Sequence, residues 1–205
     1  MSIKTIIFDL GNVLVNYDLQ KFINPFVKKV PDLKIENLNK IILEYSELAA
    51  SYEKGLISSL EFFETLKKET HYGGNFNEFA VIWNDVFKEP SANVLEIAAA
   101  LSGDYKIGVL SNTNELHIGF LEKRYPGLFN LFDKLFYSYE MHLRKPDAAI
   151  YKKVISDLGA GQKEIVFIDD LAINIETANN NGMVGLLFEN AHKLKNDLRE
   201  KGVKI

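Results

Sequence analysis

Short apolar, β-branched runs recur along the chain, and stretches of helical spacing separate them. Ile3–Phe8, Lys106–Leu110, Lys134–Tyr137, Ile165–Ile168 and Val184–Phe188 read as strands, most of them nearly all apolar, the pattern of strands covered on both faces. Amphipathic spacing over Ala92–Leu101, Asn114–Arg124, Asp147–Leu158, Ile173–Asn181 and His192–Lys201 predicts helices that precede or follow them. Alternation of this kind implies a parallel sheet joined by right-handed crossovers. The expected fold class is therefore α/β, with a Rossmann-like parallel sheet core.

One region breaks the alternation. From about Leu19 to Phe87 only helical pattern is found: Ile35, Leu38, Ile41, Ile42 and Tyr45 share one spacing, and Phe76, Phe79, Ile82 and Trp83 form another stripe. Between them Ser58-Ser59-Leu60-Glu61 offers a capping box ahead of Phe62, Phe63 and Leu66. The pattern predicts an inserted helical bundle over residues 16–89, with residues 1–15 and 90–205 forming the Rossmann-like sheet domain. The aromatic residues are expected to be the core of that bundle, with hinges near Val15–Leu19 and Lys88–Ser91.

Composition narrows the class. A chain of 205 residues fits one domain carrying a modest insertion, and the absence of Cys excludes a disulfide framework and thiolate zinc sites. A net charge of −4 argues against nucleic acid or an anionic membrane as the main partner. No apolar run approaches the ~20 residues that cross a bilayer. Asp9 stops the first apolar stretch too early for a secretory signal, so a cytoplasmic location is expected, as a monomer or weak dimer.

The polar residues that follow the strands carry the chemistry. They are Asp9-Leu10-Gly11-Asn12, Ser111-Asn112-Thr113, Arg144-Lys145-Pro146-Asp147, and Asp169-Asp170 with Asn174. In an open parallel sheet the carboxyl ends of the strands share one edge, where ligands bind, so these clusters are expected to converge. Asp9, Asp169 and Asp170 brought together repel unless a cation sits among them. The candidate ligands are all oxygens, which selects Mg²⁺ over zinc. With Lys145 and the Ser111 hydroxyl they describe a phosphate site for a small phosphorylated metabolite, in which a carboxylate can act as nucleophile. Taken singly, Asp9-Leu10-Gly11 also fits an Asx turn, Ser111-Asn112 a helix N-cap, and Lys145-Pro146 the ordinary start of a helix. No P-loop, dinucleotide fingerprint or nucleophile elbow is present. His71, His117, His142 and His192 show no ligand spacing, and only His117 and His142 lie near these loops.

These motifs, in this order, resemble the haloacid dehalogenase-like (HAD) hydrolase superfamily over the whole chain, and the helical insertion lies where that family's C1-type cap sits. Phe8-Asp9-Leu10-Gly11-Asn12-Val13, Leu110-Ser111-Asn112-Thr113-Asn114, Arg144-Lys145-Pro146, Phe167-Ile168-Asp169-Asp170 and the cap stretch Tyr52–Ser58 are similar to the branch that includes bacterial α-D-glucose-1-phosphate phosphatases. The resemblance implies a sugar-phosphate phosphatase in which Asp9 attacks phosphorus. Ser111, Asn112, Lys145 and Asn12 would then serve the phosphate, and Asn174 would support the acid pair. Mg²⁺ would take Asp9, the Gly11 backbone carbonyl, Asp170 and, nearby, Asp169.

One position departs from the family. Most of its phosphatases carry an acid/base Asp two residues after the nucleophile, where this chain has Gly11. Asp18, Glu53 and His142 are candidates to replace it, and Tyr52, Glu53 and Lys54 are candidates for substrate selection from the cap. The alternatives are a 2-haloacid dehalogenase-like hydrolase, against which the adjacent acid pair argues, and a non-catalytic phosphate-binding protein, for which Gly11 speaks.

Overall fold

A computed structural model describes residues 2–31 and 46–205. The sheet strands are β1 (Thr5–Phe8), β4 (Lys106–Ser111), β5 (Lys134–Tyr137), β6 (Ile165–Asp169) and β7 (Val184–Leu187), all parallel in the order β5-β4-β1-β6-β7. β1, β4 and β6 are the unbroken apolar runs because both of their faces are covered. Ile6, Phe8, Ile107, Val109, Val166 and Ile168 pack on α5 (Ala92–Leu101), α6 (Glu115–Arg124) and α10 (Ala191–Glu200). Ile7, Ile165 and Phe167 pack on α8 (Ala148–Leu158) and α9 (Ala172–Asn180). Each such fully buried side chain contributes about 1.5–3 kcal/mol.

The register places the site. Phe8 pairs with Val109 on one side and Ile168 on the other, so Asp9 leaves the sheet level with Leu110 and Asp169, and its N–H donates to the Ile168 carbonyl at 2.8 Å. The order of connections reverses at β1, which opens a crevice above the strand's carboxyl end.

Two strands were not expected from the pattern. β2 (Val15–Tyr17) and β3 (Phe87–Pro90) pair antiparallel where hinges were expected, and they carry the chain out to the inserted helices and back. They are too short, and Pro90 too untypical of a strand, for alternation to reveal them. Between them lie α1 (Gln20–Val27), α2 (Ser46–Glu53), α3 (Ser59–Thr70) and α4 (Phe76–Asn84). The stripe from Ile35 to Tyr45 lies outside the described residues. Ser58 and Glu61 form the expected capping box, and Asn75 with Glu78 forms a second. Phe26, Tyr52, Phe62, Phe63, Leu66, Tyr72 and Phe79 make an aromatic core for these helices, separate from those on the sheet.

The inserted helices are docked on the segment that follows β5, which includes the short helix α7 (Ser138–Met141). Ser138 Oγ donates to the Glu53 carbonyl at 2.6 Å, and His142 Nδ1 to the Lys54 carbonyl at 2.9 Å. Gly55, at φ +62°, lies so close to the Tyr139 carbonyl that a Cβ would collide with it. Gly55→Ala is therefore expected to lower Tm by roughly 2–8 °C, from the left-handed strain alone. Differential scanning calorimetry checks this, and an unchanged Tm would mean that the contact is not tight.

Candidate active site

Asp9, Ser111, Lys145 and Asp169 are brought to one edge by strand ends and the loop before α8, and the Lys145 side chain lies among them, 2% exposed. Its Nζ donates to Asp9 Oδ1 at 2.7 Å, Asp169 Oδ2 at 2.6 Å and the Leu110 carbonyl at 3.0 Å. All of its N–H groups are therefore used, so Lys145 offers a phosphate its charge rather than a free donor. Burial pulls its pKa down, but the charges of Asp9 and Asp169 outweigh that and hold the ammonium above the usual lysine value. Lys145 was open to reading as a surface residue before a helix; it is instead buried between two carboxylates.

Asp169 is fully buried and saturated. Oδ1 accepts the Leu171 N–H at 2.8 Å and Asn174 Nδ2 at 2.9 Å, and Oδ2 accepts Asn174 Nδ2 at 3.0 Å as well as Lys145. Asn174 thus bonds both oxygens of Asp169. The two asparagines expected at the phosphate, Asn12 and Asn112, are hydrogen-bonded to charged residues of the site. Asn12 donates from Nδ2 to Asp170 Oδ2 at 3.0 Å and accepts the Tyr17 N–H at 3.1 Å. Asn112 clamps the backbone of Lys145, donating to its carbonyl and accepting its N–H, both at 2.8 Å. Their amides hold Asp170 and Lys145 in place, and each Nδ2 keeps a second N–H beyond the bond it makes there. Ser111 and Thr113 are less committed: Ser111 Oγ has only a long 3.4 Å contact to the Asn112 carbonyl, and Thr113 Oγ1 is buried without a partner.

The charges do not balance. Burial first, with Asp169 adding to it and Lys145 opposing, raises Asp9 from 3.8 to about 6. Carboxylate oxygens of Asp9, Asp169 and Asp170 all lie within 4.8 Å of one another, around a single ammonium. Such a set of hard oxygen donors fits a divalent cation of the Mg²⁺ or Ca²⁺ type. Asp9 and Asp170 have oxygens to spare for it, whereas those of Asp169 are taken.

Above this floor lies a cavity of about 320 Å³ that reaches the inserted helices. Tyr17, Trp83, Phe87 and His117 form aromatic walls, and Glu53 and Arg144 add a charged pair. His117 is buried and joins the halves of the molecule. Its Nε2 contacts the Trp83 carbonyl at 3.1 Å, so that nitrogen carries the hydrogen and Nδ1 accepts from Asn114 Nδ2 at 3.2 Å. Burial lowers its pKa to about 4, which keeps it neutral.

Of the cap candidates only Glu53 lines the cavity. Tyr52 is buried against Ser59, and Lys54 turns to Asp147 at 3.8 Å. Asp18 pairs with Lys88 at 2.9 Å, and His142 serves the Lys54 carbonyl. Arg144, quoted in the motif without a role, holds Glu53; a charged residue next to a buried lysine was the only signal. Gly11 borders the cavity, and a Cβ added there would meet nothing within 4 Å.

The haloacid dehalogenase-like hydrolase family model matches residues 3–182. The chain belongs to this hydrolase family. It is similar to D-ribitol-5-phosphate phosphatase of Bacteroides thetaiotaomicron, with 27% identity over 96% of this chain and 97% of that one. It is also similar to a sesquiterpene phosphatase of Aspergillus oryzae, with 29% identity over 90% and 89%. Among solved structures, a HAD-family enzyme of B. thetaiotaomicron in complex with magnesium and inorganic phosphate superposes with a TM-score of 0.78 at 28% identity, covering 92% of this chain and 95% of that one. The parallel sheet and its flanking helices are thus those of a HAD-like hydrolase.

The raised pKa of Asp9 has a consequence for stability. A carboxyl that is more basic folded than unfolded stabilises the fold below about pH 3.8, and that contribution is lost as pH rises through about 6. In EDTA, Asp9→Asn is expected to melt above the wild type at pH 8, with the gap closing by pH 4. A wild type more stable than the variant at pH 8 would contradict the charge surplus.

Proposed function

We propose that this hydrolase is a magnesium-dependent phosphomonoesterase acting on small sugar or polyol phosphates. The observation that carries the reading is the surplus of negative charge around one buried ammonium, beneath a cavity that joins it to the inserted helices. The phosphatases among its relatives, and the neighbour bound to magnesium and phosphate, support the same chemistry. The Glu53–Arg144 pair in the cavity wall favours hydroxylated leaving groups over hydrocarbon ones, since a hydrocarbon would desolvate the pair without replacing its hydrogen bonds.

In this reading Asp9 attacks phosphorus, the bond to the leaving oxygen breaks, and water then cleaves the aspartyl-phosphate. Lys145 holds the Asp9 carboxylate in line and ionised. The Ser111 hydroxyl donates to a phosphate oxygen, and Thr113 stands ready beside it. Asp169 and Asn174 fix Lys145, while Asn12 fixes Asp170. Asp9 and Asp170, with the Gly11 carbonyl, would hold Mg²⁺, which would supply positive charge to offset the phosphate dianion. Residues 16–89 act as a cap that covers the substrate, hinged at the ribbon of β2 and β3.

Phosphate release from a panel containing p-nitrophenyl phosphate, glucose 1-phosphate, ribitol 5-phosphate and other sugar phosphates tests this. Turnover is expected with Mg²⁺, to be lost in EDTA, and to fall to background in Asp9→Asn. Absence of turnover of every compound by folded, magnesium-supplied protein would leave a phosphate-binding protein instead.

A further inference from the structure

Gly11 leaves the floor of the cavity without an acid beside the nucleophile. Of the carboxylates lining the cavity, Asp9 is the attacking group and Asp170 serves the cation, and Asp169 next to them is saturated by hydrogen bonds. The other ionisable groups there are no better placed. Lys145 has no N–H to spare, His117 has both nitrogens bonded, and Arg144 does not exchange protons at neutral pH. Burial, with the Glu53 charge adding to it, pushes the Tyr17 phenol up to about 12. Glu53 remains.

Its position is fixed from several directions. It ends α2, its carbonyl is held by Ser138 Oγ, and its carboxylate is held by Arg144, from Nε at 3.0 Å and Nη2 at 2.8 Å. Both of those bonds end on Oε2, which leaves Oε1 without a partner among the described residues. The side chain is 28% exposed, so it reaches the open part of the cavity.

We propose that Glu53 is the general acid and base of the reaction, delivered from the inserted helices to the leaving oxygen. This rests on the phosphatase reading. As the Asp9 carboxylate bonds to phosphorus and the phosphorus–oxygen bond to the leaving group breaks, the proton of the Glu53 carboxyl passes to the departing oxygen, which leaves as an alcohol. Water then attacks the phosphorus of the aspartyl-phosphate and gives a proton to the Glu53 carboxylate. The bond to Asp9 breaks, inorganic phosphate departs, and both carboxyl groups return to their starting states. Burial keeps the Glu53 carboxyl above the usual glutamate range, against the opposing charges of Arg144 and Lys145, which suits a group that must hold a proton. Because the acid stands on α2 and the nucleophile on the sheet, the donor is in place only while the inserted helices are docked.

The test is the leaving-group dependence of kcat/KM. p-Nitrophenolate departs without a proton, whereas the alkoxide of a primary sugar phosphate does not. In Glu53→Gln the ratio of kcat/KM for the best primary sugar phosphate to that for p-nitrophenyl phosphate is expected to fall by about 10²-fold or more. Glu53→Asp, which keeps the proton and shortens the reach, should recover part of that ratio. The ratio is independent of how much of a variant is folded. A ratio unchanged in Glu53→Gln, because both substrates or neither lose rate, would overturn the proposal. Wild-type turnover of the aryl ester alone would also overturn it while leaving the phosphatase reading standing, and no turnover of either ester would remove that reading itself.

Discussion

The ammonium of Lys145 sits where water does not solvate it, bonded to Asp9, Asp169 and a strand carbonyl. Removing the lysine would leave buried carboxylates without a counter-charge, a change that typically costs about 3–5 kcal/mol, so sheet edge and site are held by the same contacts. The arrangement nevertheless carries more carboxylate than ammonium. That surplus is what a cation can use, and burial, with Asp169 adding to it against Lys145, raises Asp9 to about 6. Asn12, Asn112 and Asn174 fit this constraint, each spending its amide on holding one of the charged residues in place.

The second half of the site comes from the inserted helices. The contacts of Ser138 and His142 with the carbonyls of Glu53 and Lys54 bring α2 against the core, and His117 does the same for the end of α4. Docking thereby closes aromatic and charged walls over the floor. The fold thus separates the carboxylates, on strand ends, from the part of the cavity wall that lies on helices joined through a short antiparallel ribbon.

Much of this was legible in the sequence because it depends on local pattern. Apolar runs ending in Asp9, Ser111 and Asp169 announce buried parallel strands, and their carboxyl ends must share an edge whatever the details of packing. The capping box at Ser58 was equally local. What escaped depends on pairing across the chain. β2 and β3 are too short to alternate and exist because they bond each other. The Arg144–Glu53 pair joins residues 91 positions apart, so no spacing reveals it. Asn12 and Asn112 were identified as polar residues of the right loops, but only their partners show that they hold Asp170 and the backbone of Lys145.

In the proposed reaction the Asp9 carboxylate, held by Lys145, becomes covalently bonded to phosphorus. The most direct measurement is an acid quench of the magnesium-supplied protein during turnover of p-nitrophenyl phosphate, followed by mass spectrometry of its peptides. The account predicts an acyl-phosphate, removed by hydroxylamine, on the peptide that contains Asp9 and absent in Asp9→Asn. Full turnover with no modified peptide at any quench time, or with the phosphoryl group on another residue, would contradict it.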